Sequence, residues 1–279
     1  MKIGMIGAGK VGTTLGAYLR KQQIAVTGYY SRTYDSAVLA ADFTKTKAYE
    51  DIAALVEASD TLFITTPDGE IGNVWDCIAK YELADKLICH FSGSLSSLVF
   101  SGIEAAGAIG CSIHPMFAFS DKFESYKQFH TACLTMEGQE KAVQTMKALF
   151  KMLGHRVLTV KAEDKMRYHA AAALASNYMV GLFQTSLELL EACGFSEEDS
   201  RFLLEPLVRN NVNAMLEKGT KEALTGPVER GDFQTVKKHL EVLKGTDTET
   251  VYRSIGKELV KIAKEKNADR DYTAIKNIL

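Results

Sequence analysis

The sequence predicts an α/β protein, a doubly wound parallel sheet followed by an all-helical half. Three observations carry that expectation. A short apolar run, Lys2–Ile6, leads directly into a glycine-rich turn. Strand-like and helix-like patterns then alternate as far as Val160, as they do when parallel strands are joined by covering helices. Beyond Lys161 only helical periodicity remains, so the chain divides into residues 1–158 and 159–279, with no low-complexity linker between them.

Taken in order, the first strand is Lys2 to Ile6. Gly7, Gly9 and Gly12 follow and spell G-x-G-x-x-G, ahead of a helical pattern at Val11, Leu15, Tyr18 and Leu19. Strand, glycine turn and helix together are the context that gives this motif meaning: a tight bend, a close backbone approach to a pyrophosphate, and close helix–strand packing. The helix N-terminus adds free amides and a partial positive charge. Gly7, Ala8, Gly9, Lys10, Val11 and Gly12 are therefore the expected cradle of a dinucleotide.

The second strand, Ile24 to Tyr30, selects the dinucleotide. A site preferring NAD usually carries an acid about 20 residues past the glycines. Here the strand runs into Ser31, Arg32 and Thr33, and no acid appears before Asp35. A guanidinium flanked by hydroxyls suits a 2'-phosphate, so NADP(H) is expected, with Ser31 and Arg32 as contacts. The alternative is a solvated Arg32 that merely opens the next helix.

Further strands are expected at 60–65, 86–90, 108–113, 131–136 and 156–160. Helices are expected at 53–58, 71–81, 98–106 and 139–152. The second half reads as one long helix over 163–193, then 196–218 behind a Ser-Glu-Glu-Asp cap, 233–243 and 248–267.

Composition narrows the function classes. The chain has 279 residues, with 33 Lys and Arg against 35 Asp and Glu and a formal net charge of −2. That balance gives no electrostatic reason to expect nucleic acid or an anionic membrane as partner. No window approaches about 18 uninterrupted apolar residues, so no membrane span is expected. The 5 cysteines are far apart and form no C-x-x-C pair, so no metal site is read and reduced thiols are expected. A strand starting at residue 2 leaves no room for a leader, which points to the cytoplasm.

Three further segments carry a resemblance. They are TTPDGEI at Thr65–Ile71, HFSGSLS at His90–Ser96, and CSIHPMFAF at Cys111–Phe119. With the glycine turn, they resemble the 3-hydroxyacid and imino-acid dehydrogenase superfamily. That group includes ketopantoate reductase, prephenate dehydrogenase and pyrroline-5-carboxylate reductase. KMRYHAAAALASNY at Lys165–Tyr178 and LTGPVERGD at Leu224–Asp232 add a likeness to the alternative type of ketopantoate reductase. The resemblance implies a Rossmann domain with a helical domain of the 6-phosphogluconate-dehydrogenase-like type. It also implies an NADPH-dependent reductase of a small 2-oxo acid, ketopantoate in pantothenate synthesis, dimerising through the helical domain. An imino-acid reductase, a prephenate-type or F420-dependent enzyme, or an NADPH sensor are the other readings.

Such a reduction needs a hydride, a proton for the developing alkoxide and a carboxylate clamp. Thr65, Thr66, Pro67, Ser92 and His114 all fall at strand ends, where an open sheet gathers its site. Thr65 to Pro67 are expected to shelve the nicotinamide ribose, with Ser92 as a further cofactor contact. His114 resembles the histidine of the prephenate-dehydrogenase H-P motif, although Met116-Phe117-Ala118 replaces the glycine usual there. On one continuous helix, Ser176 would return to within roughly 20° of His169. His169, Ser176 and Asn177 would then form one polar patch for catalysis and substrate binding. Lys165 is either a proton donor or a solvated surface lysine. Arg230 is either a clamp for the substrate carboxylate or the partner of Glu229 or Asp232.

Overall fold

The computed structural model describes residues 1–279. Eight strands form one sheet: β1 (Lys2–Ile6), β2 (Ala25–Tyr30), β3 (Lys47–Tyr49), β4 (Thr61–Ile64), β5 (Leu87–His90), β6 (Ile109–Met116), β7 (Cys133–Gly138) and β8 (Val157–Thr159). Their spatial order is β3-β2-β1-β4-β5-β6-β7-β8. The first six are parallel, which gives the expected doubly wound topology with its reversal between β1 and β4. One departure concerns the far edge. β7 runs antiparallel to β6, and β8 is parallel to β7. Between β6 and β7 the chain forms only two single 3-10 turns, Ser125–Lys127 and Phe129–Thr131, and so lacks the crossover helix that parallel neighbours normally use.

Helices cover both faces. On one lie α1 (Lys10–Lys21), α2 (Tyr34–Thr44) and α5 (Glu140–Met152); on the other lie α3 (Ile52–Ala58) and α4 (Asp68–Ile78). The alternation along β1 decides which residues go where. Ile3 and Met5 join Leu15, Leu19, Met146 and Phe150, while Ile6 joins Leu55, Ile71 and Trp75. The helix expected over 98–106 does not form. Only Ser97–Val99 makes a 3-10 turn, and Gly102 and Gly107 both take positive φ beyond it.

The long helix expected over 163–193 is broken. α6 (Lys165–Ala175) ends at Ser176, whose φ of −125° and ψ of −78° leave the helical region, and α7 (Asn177–Glu191) starts afresh. The Ser176 hydroxyl donates to Ala172 O at 2.8 Å, a local bond that competes with the backbone ladder. Ser176 thus closes α6 and does not continue into α7. The compact units divide here as well, into Met1–Ser176 and Asn177–Leu279. The division falls later than residue 158 because α6 is tied to the sheet by Lys165 and Tyr168.

The second unit is entirely helical. It comprises α7, α8 (Glu197–Lys218), α9 (Thr220–Ala223), α10 (Pro227–Arg230), α11 (Phe233–Leu243), α12 (Asp247–Lys266) and α13 (Thr273–Ile278). Its core is small and draws on Val228, Val236, Leu240, Val260, Tyr272 and Ile275. Ser196 caps α8 by accepting from Asp199 N at 3.1 Å, as its sequence implied. No helix is long and apolar enough to cross a membrane.

Candidate functional site

The first unit builds a cleft at the carboxyl ends of β1, β2 and β4. Its volume is about 540 Å³, and its lining includes Gly7, Gly9, Ser31, Arg32, Thr66 and Pro67. Gly7 has φ of +111°, and a Cβ on Gly12 would lie 2.2 Å from Gly7 O, so the turn closes only around glycine. Beside Gly9 there is open space. α1 starts there without a side-chain cap, which leaves its first amides to a ligand. Lys10 is exposed at the helix start, and Ala8 and Val11 pack inward against the core. Arg32 is exposed just ahead of α2, consistent with either role foreseen for it.

Thr65, which also lines the cleft, and Ser92 both make hydrogen bonds within the fold. Thr65 is buried, and its hydroxyl donates to Gly7 O at 2.9 Å, bracing the glycine turn. Thr66 Oγ1 is buried without a partner and lines the cleft, so it is the threonine with a hydroxyl to offer. Ser92 is also buried. Its hydroxyl donates to Asp68 Oδ2 at 2.7 Å and accepts from the amides of Ser94 and Leu95. Ser94 donates to the same carboxylate oxygen at 2.7 Å. Asp68, at the start of α4, thus ties the cleft residues beside it to the end of β5.

A second group gathers where β5, β6 and α6 meet. Lys165 is 2% exposed, which removes the solvated alternative. Its ammonium donates to Ser92 O at 2.8 Å and to Ser112 Oγ. Burial lowers its pKa to about 8, against the opposing pull of Glu137 and Asp68. Glu137 is itself buried, and it accepts from Ser97 N at 2.6 Å and from the Ser97 hydroxyl at 2.9 Å.

His114, on β6, has Nδ1 2.8 Å from the Tyr168 hydroxyl. Burial lowers its pKa to about 4, helped by the charges of Lys165 and His169. The His114 and His169 rings are 6.0 Å apart, and His169 Nδ1 is buried without a partner. Both rings close on Gly93. A Cβ there would lie 2.5 Å from His169 Nδ1 and 2.8 Å from His114 Nε2. His90, wholly buried at the end of β5, accepts from Ser92 N at 3.3 Å and has its pKa lowered to about 4, chiefly by burial. This group can hold one cation, present neutral imidazoles and exclude water.

The structure thus brings together Lys165, His114 and His169. Asp68, Gly93, Ser112, Glu137 and Tyr168 complete the group without having been foreseen. Asp68 and Gly93 lay inside quoted motifs, and Tyr168 inside the Lys165–Tyr178 segment, but neither spacing nor residue type marked them. Asn177 and Arg230 belong to the second unit. There Arg230 is exposed in the last turn of α10 and contributes to holding the Asp232 carboxyl below its usual range, behind the hydrogen bonds from Thr235. Glu229 pairs instead with Arg270, at 3.7 Å.

Two family models match successive parts of the chain. Residues 1–115 match a Rossmann-like domain, and residues 132–259 match a domain of unknown function, DUF2520. No curated protein is significantly similar. Among solved structures, protein TM1727 of Thermotoga maritima is 26% identical over 95% of this chain and 99% of its own, with a TM-score of 0.74. A candidate NADP oxidoreductase of Bacteroides fragilis, BF3122, is 22% identical over 93% and 98%, with a TM-score of 0.76. A reductive aminase of Aspergillus terreus, solved with NADPH and ethyl-5-oxohexanoate, is 18% identical over 99% and 98%, with a TM-score of 0.66.

Proposed function

We propose that the protein is an NADP(H)-dependent oxidoreductase that reduces a small 2-oxo acid, with ketopantoate the first substrate to test. One observation carries the reading. Lys165, His114 and His169 meet at the ends of β5 and β6, and Asp68 joins that group to the glycine-turn cleft. The likeness to NADP-linked oxidoreductases supports the cofactor, and the fit of the cleft agrees with it.

In this reading, the amides of Gly9 to Val11 and the start of α1 hold the pyrophosphate. Arg32 and Ser31 hold the 2'-phosphate, and Thr66 offers its hydroxyl within the cleft. When bound, NADPH supplies a hydride from C4 of its nicotinamide. Hydride arrival at the substrate carbon leaves negative charge on the substrate oxygen. The Lys165 ammonium has three protons, of which two are held by Ser92 O and Ser112 Oγ. The third serves the developing alkoxide. The neutral His114 ring donates a hydrogen bond to the same oxygen, and the closed packing around Gly93 keeps water out.

The test is NADPH consumption with ketopantoate, using a cyclic imino acid as the competing substrate class. Arg32→Ala should raise KM for NADPH far more than KM for NADH, and equal effects would remove the 2'-phosphate assignment. We infer further that the chain works as a homodimer, since α7 and α8 expose Tyr178, Val180, Phe202, Leu207 and Leu216.

A further inference from the structure

We propose that Tyr168 is a positioning residue: its phenol donates to His114 Nδ1 and so holds the ring as the Nε2–H tautomer, with that N–H turned towards the backbone of Gly93. The purpose given to that N–H, polarising the substrate oxygen, rests on the reductase reading. The tautomer itself does not.

A hydrogen bond of 2.8 Å between a phenol oxygen and an imidazole nitrogen can run either way. Three features choose the direction. Burial raises the Tyr168 pKa, so the phenol keeps its proton. The imidazole is uncharged, because its surroundings oppose a second proton: it is buried, Lys165 and His169 stand beside it, and Asp68 only partly offsets them. Between two neutral partners, a phenol is the stronger proton donor and the unprotonated imidazole nitrogen the stronger acceptor. The phenolic proton is therefore left for Nδ1, and the imidazole proton must sit on Nε2.

Geometry gives that choice a consequence. Nε2 lies on the Gly93 side of the ring, within 2.8 Å of where a Cβ would stand, and His169 Nδ1 comes within 2.5 Å of the same point. Gly93 is the residue whose missing side chain lets two imidazoles converge. A ring with its N–H locked towards that point offers a donor already in place. A ring free to exchange tautomers would present a lone pair for part of the time.

The experiment uses the full chain labelled with ¹⁵N at histidine. Long-range ¹H–¹⁵N spectra report the tautomer of each ring, and His114→Gln identifies the His114 signals. The expected result is the Nε2–H form in the wild type and a mixture of tautomers in Tyr168→Phe. Turnover in Tyr168→Phe should fall on the order of tenfold or more, with KM for NADPH unchanged. A wild-type ring protonated on Nδ1, or a tautomer unmoved by Tyr168→Phe, overturns the proposal. The spectra need no substrate. A locked tautomer in a protein that reduces nothing would end the reductase reading and leave the role of Tyr168 standing; an active reductase with an unmoved tautomer would do the reverse.

Discussion

Lys165 shows how much a single burial changes. In sequence it stands among charged neighbours near a helix start, where a lysine is usually solvated. In the fold, Ser92 O and Ser112 Oγ hold it inside, and burial lowers its pKa to about 8. The cation is the form required for donation, so reductive kcat/KM should be full below about pH 8 and fall as pH rises through that value. Lys165→Arg, which stays charged, should lose that inflection if the variant retains turnover. A wild-type profile flat from pH 7 to well above 8 would show that Lys165 is not the donor. The residue types at the site were legible as a set of candidates. Their partners were not, because Asp68, Ser112, Glu137 and Tyr168 reach the site through strand order and register, which no local pattern encodes.

At the scale of elements, the glycine turn, β1 and α1 were readable because their pattern is local and each glycine has a steric reason. The break at Ser176 was not, since it turns on the backbone angles of one residue, φ of −125° and ψ of −78°. The missing helix at 98–106 has a similar origin in Gly102 and Gly107. Helix α8 makes a separate point. It spans 22 residues and buries only Ser200, while Phe202 and Leu216 are each 77% exposed. Apolar surface on this scale usually marks an interface. The exposed faces of α7 and α8 are where the proposed dimer would form. Sedimentation should give twice the chain mass, and Phe202→Glu with Leu216→Glu should give the monomer. A monomeric wild type would contradict the dimer.

The whole molecule carries a pH signature that does not depend on its function. His90 and His114 both have pKa lowered to about 4, chiefly through burial. Unfolded histidines take up protons from about pH 6.5, whereas these two remain neutral until about pH 4. Proton uptake therefore favours the unfolded chain between those values, and stability should fall as pH drops through that window. His90→Phe should flatten the fall in the urea midpoint; an unchanged slope would mean that His90 is not held neutral.

The Rossmann-like sheet and the helical second unit were both legible from periodicity, as were the glycine turn and the strand ends that border the cleft. The substrate was not, because two imidazoles and a lysine serve C=O and C=N reduction alike. The most direct test is NADPH consumption with ketopantoate, comparing the wild type with Lys165→Met and His114→Gln at matched NADPH occupancy. The expected result is turnover in the wild type and a fall on the order of 10² or more in both variants, with NADPH affinity nearly unchanged. Turnover that survives both substitutions would contradict it.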